Sequence, residues 1–325
     1  MKDFESLTRR GRLLRYRKAL VRALEQYPIE VKSLQFVAFE SKPVYRVHAN
    51  LGCFAAKFHD PKEHVLSQMI GEMQFLDHVS RHSELRIETP LANSEGDFVT
   101  EVGGDWLPGP AHLALCTWVP GNQLKDSMSA RSYRYLGKCS ALLHDVSQSF
   151  RPPTGFSILT NDRVFYWDKE TILSRRDSRL LPKQRRNLFM KGAKRAQEAI
   201  QHLWKSAEPI VIHNDLHPCN VKVYRDGLSL YDFEDLTWGF PAQDIGTAMY
   251  HVRFRDDYSE LLGAFRGGYE EVLHWPLESD RHLDHFVIAR LLMFANYVVN
   301  FNLRPTEYLP RFEGKLKILL GGKAA

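Results

Sequence analysis

The chain has 325 residues, 44% of them apolar, and a formal net charge of +5, which is enough apolar material for a core divided between two lobes. Its four cysteines lack paired spacing, which argues against a disulfide framework or a zinc ribbon, and no apolar run approaches the ~18–20 residues of a membrane span. A charged N-terminus without an apolar signal core and a mild net charge point to a cytoplasmic protein that engages neither membrane nor nucleic acid.

Residues 4–26 read as one helix, with Leu13, Leu14, Ala19, Leu20, Ala23 and Leu24 forming a modest apolar stripe among seven basic residues between Arg9 and Arg22. A basic amphipathic helix can bind membrane or RNA. Without aromatic anchors beyond Phe4 and Tyr16, the plainer reading is a solvated face on a helix packed against the first lobe, a unit of residues 1–30. Three strand runs follow at 33–39, 44–49 and 53–58, with Ser41-Lys42-Pro43 and Asn50-Leu51-Gly52 as their turns. Lys57 stands on the third strand among apolar neighbours, either as a buried cation aimed at phosphates or as a guard on a sheet edge. A helix over 61–78 carries Glu63 and Glu72. Runs at 98–102 and 112–117, joined by a Gly/Pro-rich turn, complete a five-stranded antiparallel sheet.

From residue 118 the pattern turns helical, over 132–147, 193–207, 258–273, 285–301 and a last helix to Leu320. An insert at 151–195 holds Phe165-Tyr166-Trp167-Asp168 and a basic run from Arg175 to Arg186. The plainest account of those arginines is a solvated helix face. The expected organisation is the N-terminal helix (1–30), a first lobe (31–117) and a larger, mainly helical lobe (118–325).

The chemistry concentrates at His213-Asn214-Asp215-Leu216-His217-Pro218-Cys219-Asn220, between strand-like runs at 209–212 and 221–224. A further run at 228–231 ends in Asp232, 17 positions after Asp215. The pattern His-x-Asp-x-x-x-x-Asn with a later strand-end Asp supplies what phosphoryl transfer needs. Asp215 would accept or orient the proton of an attacking hydroxyl. Asn220 and Asp232 would give oxygen ligands to Mg²⁺, and His213 would brace the loop. The bland alternative is a hairpin whose polar residues only satisfy turn backbone.

These residues, with Tyr231-Asp232-Phe233-Glu234-Asp235 and the later Asp244 in Gly239–Gly246, resemble the aminoglycoside phosphotransferase/choline kinase group. The block around Asp244 looks most like the homoserine kinase-like and bacterial stress-response kinase-like branch. The resemblance runs over about residues 33–250 and implies an α+β, bilobal protein-kinase-like fold with ATP as cofactor. It implies that Lys57, paired with Glu72, binds phosphates, and that backbone groups of Thr117 and Val119 meet the adenine edge. Asp244 would orient the catalytic loop, and His144, in the family's Leu-His helix end, is given no chemistry. Where protein kinases carry a glycine-rich loop this chain has Ser41-Lys42-Pro43, a departure even from the Ser/Glu-Asn turn of the suspected branch. The insert would help wall the acceptor site. Its aromatic and acidic residues suit an ammonium-bearing acceptor and its basic run an anion.

Three classes of function compete: a kinase, with two kinds of acceptor, a metallohydrolase and a catalytically silent protein. The lead is an ATP-dependent kinase for a small-molecule hydroxyl acceptor such as an amino alcohol, sugar or aminoglycoside. Only 11 residues separate Asp232 from Asp244, too few for a long peptide-docking segment, so a protein Ser/Thr substrate of the stress-response type stands second. A metallohydrolase built on His213 and His217 would need those histidines on a helix, which Pro218 opposes. A catalytically silent nucleotide-binding protein would normally lack Asp215, Asp232 or Lys57, and all three are present.

Overall fold

The computed structural model describes residues 3–39, 43–59, 65–102, 107, 109, 111–168, 170–175, 179–225 and 227–321. Ser41 and Lys42 of the first turn, Glu63, Arg176 and Asp226 lie outside the described residues. The chain forms two compact units, one of residues 1–121, 150–158 and 229–234, the other of 122–149, 159–228 and 235–325.

The first unit opens with α1 (Arg9–Leu24), whose start is set by the Thr8 side chain accepting a hydrogen bond from the Gly11 N–H at 3.2 Å. Ala19, Leu20, Ala23 and Leu24 are buried and form a core with Tyr45, Val47, Phe54, Phe58 and Leu113, while most of the arginines stay outside. The sheet comprises β1 (Val31–Phe39), β2 (Pro43–Ala49) and β3 (Gly52–Phe58), then, beyond α2 (Leu66–His82), β4 (Pro90–Leu91), β5 (Val99–Val102) and β6 (Ala111–Thr117). Its order is β1-β2-β3-β6-β4, with β5 also paired to β6, all antiparallel. The five expected strands are joined by β4, whose two residues are too few to show a period-two pattern. Strand β2 buries every second residue, and β3 buries Phe54, Ala56 and Phe58, which puts Lys57 on the opposite face.

Helix α2 brings Met69, Glu72, Met73 and Leu76 inward at helical spacing. It runs close to the 150–158 segment, where a Cβ on Gly71 would meet the Ser157 carbonyl oxygen at 2.8 Å.

The second unit contains β7 (Asn122–Gln123), α3 (Ala130–Ser149), β8 (Leu159–Thr160), α4 (Lys183–Ser206), β9 (Ile210–Ile212), β10 (Val221–Tyr224), the start of β11 (Gly227–Leu230), β12 (Thr237–Gly239), α5 (Pro241–Tyr250), α6 (Tyr258–Tyr269), α7 (Asp280–Asn300) and α8 (Pro305–Leu319). Helix α7 packs against α4, α5 and α8, and α3 packs against α6. The last pair approaches at Gly137 and Gly268, where an added Cβ would collide with the backbone carbonyls of Phe265 and Arg134. Strand β12 lies between β8 and β9 and fixes the end of β9 through Thr237 opposite Ile212. Helix α4 begins ten residues before the expected start, because the arginine-rich first turns find partners that a hydropathy pattern does not show. No described helix is long and apolar enough to cross a membrane.

Candidate active site

Each unit holds a buried charged cluster. In the first, Lys57 Nζ lies 3.2 Å from Glu72 Oε1 and 2.7 Å from Glu88 Oε1. Glu72 is thus brought to Lys57, and Glu88, which sequence reasoning missed, is brought closer still. Burial opposes the charged form of Lys57, but Glu72 and Glu88 outweigh it and raise its pKa well above the usual lysine value. Burial likewise pushes the Glu72 carboxyl up, only partly opposed by Lys57 and reinforced by Glu88 and Glu234, to about 7. A hollow of about 30 Å³, room for roughly one water, is lined by Lys57, Gln68, Met69, Glu72 and Glu234.

Asp232 belongs to the same unit. Its φ of 68° is left-handed, an uncommon state for a non-glycine residue, and its N–H donates to Glu88 Oε1 at 2.7 Å. Phe233 beside it is fully buried and anchors the turn. At the end of β6 the Thr117 N–H donates to the Thr89 carbonyl at 2.8 Å, while the Thr89 N–H donates back to Thr117 Oγ1 at 2.8 Å. A nucleobase would therefore meet the Thr117 carbonyl rather than its N–H. Val119 follows in irregular, half-buried backbone. Trp118 between them is held by its N–H to Cys53 O at 2.8 Å and by Arg46, whose guanidinium carbon stands 4.8 Å from the ring centre.

In the second unit, the short buried strand β9 delivers His213, Asn214 and Asp215. Asn214 has φ 65°, and Asp244, in the first turn of α5, holds that turn in place. Asp244 Oδ2 accepts the His213 N–H at 3.0 Å, and Oδ1 accepts the Asn214 N–H. His144 Nε2 lies 3.1 Å from Asp244 Oδ2, with its Nδ1 2.9 Å from the Tyr269 hydroxyl, so this histidine supports the support. Asp244 also sits where a helix N-terminus favours negative charge.

The Asp215 carboxylate is surrounded by donors. Asn220 Nδ2 donates to Oδ2 at 2.8 Å and to the Asp215 carbonyl at 3.1 Å. With its nitrogen so engaged, Asn220 presents its amide oxygen as the atom able to ligate a cation. His217 Nε2 lies 3.3 Å from Oδ2, and the Arg290 guanidinium ion-pairs with Oδ1. Burial alone would raise the Asp215 pKa. Arg290 and the hydrogen bond from His217 overcome it and hold the carboxyl well below the usual carboxylate range. His251, with its ring 4.9 Å from that of His217, is kept neutral by burial, then by His217 and Arg290, and its pKa falls to about 3.

Arg290 was legible only as an interruption of an apolar helix. The available signal was physical: an arginine at 7% exposure in the middle of α7 needs an anionic or carbonyl partner. It also reaches the Asn214 carbonyl at 3.4 Å and lies over Phe294 at 4.6 Å. No helix presents His213 and His217 together, since residues 213–220 are loop, which removes the metallohydrolase arrangement.

The insert folds onto α7 and α4. Asn214 Nδ2 donates to the Tyr166 hydroxyl at 2.6 Å, Asn296 and Asn300 donate to Asp168, and Trp167 stacks on Tyr297. The solvated-face reading of the basic run is corrected at Arg185 and Arg186. Arg185 pairs with Glu313 at 2.9 Å and donates to the Leu180 carbonyl, while Arg186 donates to the carbonyls of Leu173 and Arg175. These arginines staple irregular backbone by donating to its carbonyls.

Comparison with known proteins gives the family and the fold. The phosphotransferase enzyme family (APH) matches residues 33–280. Amicoumacin kinase of Bacillus subtilis (strain 168) is 23% identical over 243 residues, 72% of this chain and 68% of that protein. The structure of a microcompartment-associated aminopropanol kinase superposes with a TM-score of 0.73 at 19% identity, covering 94% of this chain and 97% of the other. The amicoumacin kinase hAmiN, in complex with AMP-PNP, Ca²⁺ and Ami, gives 0.73 at 17% identity over 95% and 96%. A spectinomycin phosphotransferase with ADP and spectinomycin gives 0.62 at 11% identity over 94% and 97%. The fold is therefore the α+β kinase-like fold.

Proposed function

The chain belongs to the phosphotransferase enzyme family, and we propose that it transfers the γ-phosphoryl group of ATP to a hydroxyl of a small molecule such as an amino alcohol, sugar or aminoglycoside. The observation that carries this reading is the Asp215 carboxylate, kept ionised in the loop that follows β9 by Arg290, Asn220 and His217. A carboxylate held so can accept a hydrogen bond from an acceptor hydroxyl and aim its oxygen for in-line attack. Lys57, kept cationic between two carboxylates, would bind α/β-phosphate oxygens, and backbone groups of Thr117 and Val119 would take the adenine edge. The Asn220 amide oxygen and the Asp232 carboxylate are the oxygen donors Mg²⁺ prefers. The ion would neutralise charge on the phosphates, and His213 and Asp244 keep the loop in place. Amicoumacin kinase and spectinomycin phosphotransferase, two similar proteins, are named for small molecules, which supports that acceptor class.

The test measures ADP release with Mg·ATP against a panel of amino alcohols, sugars and aminoglycosides for the wild type and Asp215→Ala. The variant should lose turnover by about 10³-fold while binding Mg·ATP with affinity close to wild type. Retained turnover in Asp215→Ala would sink the assignment.

A further inference from the structure

We propose that Glu88, more than Glu72, is the resident partner of Lys57, and that it acts as a positioning residue tying the phosphate-binding lysine to the backbone of Asp232. The inference rests on the nucleotide and metal roles given above to Lys57 and Asp232, and it adds a residue that no motif marks. One oxygen, Glu88 Oε1, receives both the Lys57 ammonium at 2.7 Å and the Asp232 N–H at 2.7 Å. Both are charge-assisted hydrogen bonds of short length, and Glu88 is 2% exposed, so water does not compete for them. Glu72 makes one longer contact, at 3.2 Å.

The backbone around Glu88 is tied on both sides. Ile87 bridges Leu230 in parallel, and the Leu230 N–H donates to the Arg86 carbonyl at 2.9 Å, two residues before Asp232. Thr89 exchanges two hydrogen bonds with Thr117 at the end of β6. Glu88 is therefore clamped between the segment that leads from Leu230 to Asp232 and the strand that ends in Thr117. Glu72 rides instead on α2, outside that clamp. A lysine dependent on Glu72 alone would have its counter-charge in one contact of 3.2 Å. With Glu88 in place it has a second counter-charge, and the left-handed turn at Asp232, costly for a residue with a side chain, keeps the acceptor that holds it.

The deciding experiment compares Glu88→Gln and Glu72→Gln for Mg·ATP affinity, the Mg²⁺ concentration at half-maximal activity, KM for ATP and kcat. Lys57→Met and Asp232→Ala serve as controls. Glu88→Gln keeps an acceptor for the Asp232 N–H but removes the charge. It should weaken Mg·ATP by about tenfold or more and shift the Mg²⁺ requirement upward, a larger effect than Glu72→Gln produces. Glu88→Ala, which also removes the acceptor, should raise the Mg²⁺ requirement further. If Glu88→Gln melts earlier yet keeps KM and the Mg²⁺ requirement, Glu88 is merely structural and the proposal falls. It falls equally if Glu72→Gln has the larger effect. Should Glu88→Gln fail to fold, the pair Lys57→Met/Glu88→Ala, which also removes the acceptor of the Asp232 N–H, is measured against Lys57→Met. A higher Mg²⁺ requirement in the double variant supports the tie to Asp232, and identical requirements overturn it. Unchanged Mg·ATP affinity in both controls would overturn the parent reading of the nucleotide site and this one with it.

Discussion

The two charged clusters are built with opposite signs in excess. In the first unit a single cation, Lys57, sits between two buried carboxylates, Glu72 and Glu88. In the second a single carboxylate, Asp215, sits among Arg290, His217 and Asn220. In each case the surplus locks the charge of the central group, Lys57 as ammonium and Asp215 as carboxylate. The consequence for the surrounding groups differs. The acid-rich cluster pushes one of its own members, Glu72, up to about 7, so part of its charge is negotiable near neutrality. The donor-rich cluster suppresses protonation of both Asp215 and the adjacent His251.

The sharpest way to break this contrast is to unpair the second cluster. Arg290→Met leaves the Asp215 carboxylate buried without its cation. Removing one member of a buried ion pair costs about 3–5 kcal/mol, against about 1 kcal/mol or less for a surface pair such as Arg22–Glu25. Urea unfolding should show that loss, and kcat should fall by about 10²-fold with KM for ATP little changed. Arg290→Lys should fall between the two, because an ammonium restores charge but not the fork that reaches both Asp215 and the Asn214 carbonyl. Wild-type stability in Arg290→Met would mean that the pair is not a buried one in solution.

The next effect sharpens the first cluster. The Glu72 carboxyl, with a pKa near 7 in the folded chain against 4.5 for an ordinary glutamate, holds a proton that the unfolded chain releases between those values. Stability from this group is therefore fully present below about pH 4.5 and is lost as pH rises toward 7. The change is on the order of 3 kcal/mol across the window. Glu72→Gln removes the titration. Its unfolding free energy relative to wild type should rise from pH 5 to pH 8, and a difference independent of pH would show that Glu72 is ionised throughout.

A smaller effect tests what lies beneath the second cluster. Asp244 accepts two backbone N–H groups with two oxygens, and Asp244→Asn has one oxygen to offer. One buried N–H is then orphaned, at a cost of about 1–3 kcal/mol. The loss should appear in both unfolding free energy and kcat, because the orphaned group lies in the loop that carries Asp215. Loss of stability without loss of turnover would separate Asp244 from the loop.

How much of this was written locally in the chain follows from how far apart the interacting residues lie. The strands β2 and β3 show period-two burial, and Asn50-Leu51-Gly52 marks the turn between them, so the sheet was legible. Asp215, Asn220 and Asp232 fall within 18 residues at spacings the chemistry requires. The family resemblance favoured Glu72, ahead of Phe75 and Leu76, over Glu63, and Glu72 does face Lys57. Glu88 could not be found this way, because its partners are 31 and 144 residues distant and the short segment around it has no periodicity. Arg290 is 75 residues from Asp215, and only the rule that buried charge must be paired hints at it. The early start of α4 and the fixing of Arg185 and Arg186 depend on carbonyls of the insert, which no helical pattern announces.

The smallest expected effect concerns His251, beside the second cluster. Its folded pKa of about 3 lies below the ordinary histidine value of 6.5, so the unfolded chain binds a proton between those values that the folded chain refuses. The stability linked to this group is present above about pH 6.5 and is lost as pH falls toward 3, about 1–2 kcal/mol of it by pH 5. His251→Phe keeps an aromatic ring against Tyr250 and Phe294 and removes the titration. At pH 7.5 it should change Tm and kcat little, because the wild-type ring is already neutral there. Between pH 6.5 and pH 5 its Tm should decline less steeply than wild type. Parallel declines would mean that His251 accepts a proton in the folded chain as readily as in the unfolded one. The ring would then sit in contact with water.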